Sequence, residues 1–317
     1  MELLRVKGLK KYFPVKGSIF GSKGNIRAVD GVSFCIKPNR VFALVGESGC
    51  GKSTVARLIL RLMPVTEGVI VFKGNDITSL EGKALLPFRR AVQIIFQDPF
   101  ASLNPRMKVL DILSEPLVVH KLCRSKTERV ERVVELLNKV GLSSEVLNRY
   151  PHEFSGGQRQ RVCIARALAL SPELIIADEP LSALDVSLQA QIINLFQILR
   201  KEYSLSLLLI SHDLNVVRYL SDEVAVMYLG RILEHGHTNT IYNTPLHPYT
   251  ELLLSVVPKI GKEPMDMLLT GEAPGPLDTP TGCLFHTRCP KAFGPCKDIA
   301  PELKKHQGRD VACHLYG

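Results

Sequence analysis

Three short stretches of this chain carry residue types that can handle a phosphate chain. Gly46-Glu-Ser-Gly-Cys-Gly-Lys-Ser-Thr54 follows the apolar run Val41–Val45 and precedes the apolar-periodic stretch Val55–Met63, a strand, loop, helix pattern. Gly46, Gly49 and Gly51 let the backbone turn tightly enough for the successive N–H groups of Glu47, Ser48, Cys50 and their neighbours to surround phosphate oxygens. The helix start adds roughly half a positive charge there. Lys52 places a full charge toward the β and γ phosphates, Ser53 supplies a hydroxyl for Mg²⁺, and Thr54 can donate to a neighbouring phosphate. The plain alternative is a Gly-rich turn at a helix cap, which the flanking strand and helix disfavour.

Leu174-Ile-Ile-Ala-Asp-Glu179 is a second apolar run ending in two carboxylates, the form of a buried parallel strand whose C-terminal end opens onto a ligand. Asp178 is suited to holding Mg²⁺ through water. Glu179 is suited to polarising an attacking water, a general-base role worth roughly 10² to 10⁴ in rate. Alone, such a strand end means little, and its weight comes from Phe154-Ser-Gly-Gly-Gln-Arg-Gln-Arg161 just upstream.

With that stretch the chain resembles the ATP-hydrolysing cassettes of ABC transporters. The resemblance implies a P-loop α/β core, an N-terminal antiparallel β subdomain and an inserted α-helical subdomain at about 98–170. It implies that Ser155, Gly156, Gly157 and Gln158 at a helix N-terminus meet the γ-phosphate of ATP held by an opposing subunit, although the same residues can simply cap a helix spanning Gln158–Leu170. Phe154 stands where the family usually has Leu. The other family elements follow in order. Tyr12 is placed to stack on adenine, or to pack in an N-terminal strand. Gln97, after the apolar strand Ala91–Phe96, would ligate Mg²⁺ and report nucleotide state to membrane subunits. Ser182-Ala-Leu-Asp185 matches the loop that crosses the dimer interface, and His212, after Leu207–Ile210, matches the γ-phosphate switch histidine. Between glutamine and signature, Lys126–Val140 has Val130, Val133, Val134 and Leu137 at helical spacing, without the heptads of a coiled-coil insertion.

Gln97-Asp-Pro-Phe-Ala-Ser-Leu-Asn-Pro105, His247-Pro-Tyr-Thr250 and a Cys-rich end resemble the oligopeptide, dipeptide and nickel branch of importer ATPases. From the residues themselves, His247-Pro-Tyr is only a turn entering a helix over Tyr249–Val257. Branch resemblance implies two permease subunits, a sibling ATPase favoured over a homodimer, an extracytoplasmic binding protein, and a peripheral place on the cytoplasmic face of the membrane. One copy of each motif means the composite site needs a second cassette.

The elements that must position these groups fit 317 residues, a length that suggests roughly two domains, with 45% apolar residues to build a core. No apolar run approaches the roughly 18 residues of a membrane span, and the N-terminus lacks a signal-peptide pattern, so the chain reads as cytosolic. The +9 net charge is concentrated near the start, where nine Lys/Arg face Glu2 and Asp30 within 40 residues. No aromatic-plus-basic interleaving argues for nucleic acid. Pro- and Gly-rich sequence over Pro258–Gly282 reads as a linker and sets a boundary near Val257, giving 1–257 as nucleotide-binding domain and 258–317 as a small irregular module. That module holds Cys283, Cys289, Cys296 and Cys313, spaced by five, six and sixteen residues with no Cys-x-x-Cys pair. Resemblance implies a [4Fe-4S] cluster; Zn²⁺, disulfides and unliganded thiols stay open, with His286 and His314 as substitute ligands.

Overall fold

The computed structural model describes residues 2–15, 24–255, 274–275 and 279–317. The linker Pro258–Gly282 therefore lies mostly outside the described residues. Backbone contacts divide the chain into two compact units, residues 1–37, 41–79 and 210–317, and residues 38–40 and 80–209. These units cut the chain elsewhere than Val257.

In chain order, β1 (Leu4–Val15) and β2 (Gly24–Ile36) are followed by β3 (Val41–Val45), α1 (Lys52–Ile59), β4 (Glu67–Phe72) and β5 (Asn75–Asp76). Next come α2 (Leu86–Ala91), β6 (Val92–Ile95), α3 (Pro99–Ser102), α4 (Val109–Val119), α5 (Lys126–Lys139) and α6 (Gly156–Leu168). Then follow β7 (Leu174–Asp178), α7 (Val186–Tyr203), β8 (Ser206–Ser211), α8 (Leu214–Leu220), β9 (Glu223–Tyr228), β10 (Arg231–His237), α9 (Thr238–Asn243) and α10 (Pro248–Ser255). The tail adds β11 (Lys304–His306) and β12 (Arg309–Val311).

In the first unit, β2, β1, β4 and β5 form an antiparallel sheet in that order, the N-terminal β subdomain that family resemblance implies. A second set of strands runs β11-β12-β10-β9-β3, with β3 and β9 parallel and the β10 pairings antiparallel. All five residues of β3 are buried, which matches an apolar run covered on both faces. The tail joins this unit because Glu234 and His235 of β10 register with Val311 and Asp310 of β12. Fully buried Phe285 also packs its ring 5.2 Å from that of Tyr249 and 5.5 Å from that of Tyr228. Leu246, Val311, Cys313 and partly buried Tyr316 form a further apolar cluster beside it. Fully buried Glu234 accepts the backbone N–H groups of Leu246 and His247 at 2.9 and 3.0 Å, and Arg309 approaches it at 3.5 Å. This network fixes His247-Pro-Tyr at the start of α10, which begins at Pro248; residues 256 and 257 lie outside the described residues. Burial holds His247 as the neutral imidazole, its pKa lowered to about 3, and its Nδ1 accepts the Tyr249 N–H.

In the second unit, strands run β8-β7-β6, with β6 and β7 parallel and β7 wholly buried. Helices α3 to α6 make up the inserted helical part. Helix α5 is capped by Ser125 and buries Val133, Leu136 and Leu137, while Val130 and Val134 are only partly covered. Helix boundaries shift from the apolar periodicity where caps decide them. Helix α1 begins at Lys52, directly after the Gly51 cap, and ends at Ile59 because Arg61 is left-handed, at φ 55°. Helix α6 begins two residues ahead of the apolar pattern because Ser155 caps it. Strand β6 is shorter than Ala91–Phe96, since Ala91 still belongs to α2 and Phe96 is exposed.

Candidate nucleotide site

The first unit carries the Gly46–Thr54 loop, Tyr12 and His212. The loop's glycines are demanded by close backbone approach. An added Cβ on Gly46, at φ 153°, would lie 2.1 Å from the Met227 carbonyl oxygen. On Gly51, at φ 106°, it would lie 2.1 Å from the Ala28 carbonyl oxygen. The carbonyls of β2 and β9 thus pin both ends of the loop at distances only glycine tolerates. Lys52 is buried and folds back over the loop, its Nζ donating to the carbonyls of Gly46 and Glu47 at 2.8 Å each. The ammonium therefore sits over the ring of backbone that is to receive an anion. Ser53 and Thr54 lie in the first turn of α1, and Ser48 and Gly49 at the loop tip are exposed. Cys50 is buried, and burial pushes its thiol up, so it is inert packing.

Tyr12, in β1, donates its hydroxyl to Asp30, which also accepts from Arg231 at 2.7 and 2.9 Å. Burial raises the Asp30 carboxyl, but the Tyr12 hydroxyl and the Arg231 guanidinium outweigh it and hold the group below its usual range. Tyr12, Lys10 and Arg27 line a cavity of about 590 Å³ whose other wall is Leu284 and residues 300–303 of the tail. His212 is an exposed residue directly after β8, and the next residue, Asp213, caps α8 by accepting the N–H groups of Asn215 and Val216.

The second unit carries Gln97, the signature, Asp178 and Glu179. Asp178 is buried as the last residue of β7. Glu179 follows it in the left-handed region, at φ 47°, an uncommon state for a residue with a Cβ and one that collects at functional sites. Gln97 Nε2 donates to Glu179 Oε2 at 2.9 Å, which brings together the two residues that family resemblance assigns to metal binding and water activation. The amide oxygen of Gln97 stays available as a hard-cation ligand. Asp98 then caps α3, with Pro99 at its first position.

Ser155 and Gln158 form a reciprocal capping box. Ser155 Oγ accepts the Gln158 N–H at 3.3 Å, and Gln158 Oε1 accepts the Ser155 N–H at 3.1 Å. Capping and anion binding are compatible here, because a hydroxyl that accepts one N–H still has its own hydrogen to donate. The N–H groups of Gly156 and Gly157 open the helix and point out of its first turn. Asp185 caps α7 by accepting the Leu188 N–H at 2.9 Å.

Two features were not visible in the sequence. The Arg159 guanidinium stacks 3.4 Å from the centroid of the exposed Phe100 ring, while Ser102 meets Cys163 at 3.3 Å and its carbonyl accepts from Arg166 at 2.6 Å. The segment after Gln97 is therefore bolted to the signature helix. The other is an ion pair between Arg288 of the tail and Glu47 of the phosphate loop. Neither pairing has a local spacing that would betray it.

Three of the four tail thiols are raised above the ordinary range, with burial the first cause. Burial pushes the Cys283 thiol up to about 11, and Cys296, Cys313 and Cys289 add to the rise. Burial likewise raises Cys289 and Cys313, with Cys296 contributing to both. Among the described residues, no group of three or more His, Cys, Asp or Glu is arranged to hold a metal ion. No helix among the described residues is long and apolar enough to cross a membrane.

Comparison with known proteins accords with this geometry. Residues 29–182 match the ABC transporter family model, and residues 233–296 match the C-terminal region of oligopeptide/dipeptide transporters. The oligopeptide transport ATP-binding protein AppF of Bacillus subtilis is 53% identical, over 99% of this chain and 97% of its own. The dipeptide transport ATP-binding protein DppF of Escherichia coli is 48% identical, over 98% and 93%. Among solved structures, a dimeric post-hydrolysis ATP-binding cassette bound to ADP and Pi superposes with a TM-score of 0.67 at 30% identity, over 74% of this chain and 98% of that one. The chain is an ABC-type ATPase, and it belongs to the ATP-binding subunits of the oligopeptide/dipeptide transporter family.

Proposed function

We propose that this subunit hydrolyses ATP to drive import of dipeptides or oligopeptides, working as one of two cassettes on the cytoplasmic face of a membrane beneath two permease subunits. The observation that carries the ATPase half is the Gln97–Glu179 hydrogen bond, which holds a general base at the end of a buried strand. The cargo half rests on the relatives, whose names specify oligopeptide and dipeptide transport.

In this reading the loop N–H groups and Lys52 bind the phosphates, Tyr12 stacks on adenine and His212 contacts the γ-phosphate. The Ser155–Gln158 box and the N–H groups of Gly156 and Gly157 close over ATP carried by the opposing cassette, so ATP joins the dimer. The oxygen donors of Ser53, Gln97 and Asp178 would hold Mg²⁺, a hard ion that would offset the charge of the phosphates. Glu179 takes the proton of the attacking water, and loss of the γ-phosphate lets the cassettes part. We take residues 98–170 as the subdomain that meets the permease, a sibling ATPase as the partner cassette, and a peptide-type extracytoplasmic binding protein as the source of cargo. Capture of the tagged full chain from its native membranes, with its partners named by mass spectrometry, tests the assignment. Two permeases, a second cassette and a peptide-type binding protein are expected; ribosomal or DNA-repair partners without a permease would overturn it.

We also assign the four tail cysteines to a [4Fe-4S] cluster, with Zn²⁺ as the competing occupant. Support comes from the branch resemblance and from four thiols gathered in one short tail, of which Cys283, Cys296 and Cys313 are buried. Its role would be to staple a segment poor in regular structure. Protein purified without air is then expected to be brown, with about four irons and four sulfides per chain. Colourless protein that carries zinc on an intact tail would sink this assignment.

A further inference from the structure

The phosphate loop contains a carboxylate that nucleotide binding does not use. Glu47 is its second residue, 23% exposed at the side chain, in a loop that must receive a polyanion. An unpaired negative charge there opposes that task. Arg288, 6% exposed, answers it, with Nη1 donating to Glu47 Oε2 at 3.0 Å and Oε1 at 3.2 Å, and to the Tyr228 hydroxyl at 3.3 Å.

The aim of Arg288 is built into the tail. Its N–H donates to the Phe285 carbonyl at 3.0 Å, closing a turn whose first residue is the fully buried ring wedged against Tyr228 and Tyr249. Tyr249, in turn, accepts the Glu47 N–H on its hydroxyl at 3.0 Å, so this N–H, expected from the sequence to face phosphate, is taken up within the protein. Glu47 is thus held at its backbone by α10 and at its carboxylate by the tail. None of these partners is a nucleotide-binding group, and all come from the last third of the chain.

We propose that Arg288 is a positioning residue for ATP binding: it neutralises and fixes Glu47, so that the phosphate loop keeps its shape and its affinity for the triphosphate. This rests on the reading that the loop binds ATP. The Cys-rich tail thereby contributes to the nucleotide site through charge as well as through packing.

Titration of the purified full chain with a fluorescent ATP analogue and Mg²⁺, at low and high salt, tests the proposal. Arg288→Gln should weaken binding about three- to ten-fold at low salt, the size expected of one unmasked charge roughly 10 Å from the ligand, and the loss should shrink at high salt. Arg288→Lys, which keeps the charge, should stay within about two-fold of the parent. Adding Glu47→Gln to Arg288→Gln should recover the lost affinity, as a coupled pair does. Unchanged binding in Arg288→Gln would overturn the proposal. So would a loss that the second substitution fails to restore and salt fails to shrink, because that pattern belongs to a merely structural arginine. A parent protein that binds no analogue would instead sink the ATP reading.

Discussion

Glu179→Gln is expected to lower steady-state phosphate release by at least about 10²-fold while leaving ATP binding in place. The substitution keeps the side chain's size and an oxygen for Gln97 Nε2 to meet, so the 2.9 Å contact at the end of β7 has no reason to open. What it removes is the charge that, in the proposed mechanism, accepts a proton from water. With chemistry blocked and both nucleotide surfaces intact, ATP should accumulate in a closed pair of cassettes. Size-exclusion chromatography should then show ATP-dependent dimers that persist in the variant and dissipate in the parent. Turnover at the parent rate would remove Glu179 from the role of base. The left-handed backbone at this position adds a reason to choose Gln over Ala, since a shorter side chain would relieve strain and change charge at once.

Gly51→Ala should abolish nucleotide binding and destabilise the first unit by about 2–6 kcal/mol. That figure combines the torsional cost of a Cβ in the left-handed region with the cost of overpacking against backbone. The added carbon would sit 2.1 Å from the Ala28 carbonyl oxygen, which belongs to β2 and cannot swing aside as a side chain can. The loop must give way, and its N–H groups then no longer converge. Thermal melts with and without Mg²⁺ and ATP read both effects. The variant should melt lower than the parent and show no ligand-induced rise. A normal ATP-dependent shift would mean the loop tolerates displacement at Gly51, and with it that the tight approach is unimportant for binding.

Some of this was open to reading before any coordinates, for a physical reason. Phosphate binding by backbone needs glycines at fixed offsets, a strand before and a helix after, and these are local demands that leave a local trace. Gly46 to Thr54, Asp178 with Glu179 after an apolar run, and the Ser155–Gln158 box were therefore visible as residue types at set spacings. Helix ends were less so, because the cap at Gly51 and the left-handed Arg61, not apolar periodicity, set the limits of α1. The Glu47–Arg288 pair was out of reach, since its members stand 241 residues apart and each alone is an ordinary charged residue. Likewise, nothing in Phe100 or Arg159 separately announces that they stack. Tyr249 was noticed only as part of a family motif, and its hydroxyl on the Glu47 N–H provides a reason for that motif within this fold.

The place of β12 bears on how the protein is made. Its three residues, Arg309–Val311, cover the edge of β10 that β9 leaves open. Synthesis runs from the N-terminus, so this edge stays bare until β12 has followed the catalytic motifs out of the ribosome. A message cut short, or a chain clipped in the tail, yields a cassette with its catalytic motifs present, a naked strand edge prone to pairing with another chain, and no Arg288 beside Glu47. A copy without the segment from Arg288 to Val311 is thereby expected to carry both faults together, an uncovered β10 edge and an unmasked Glu47.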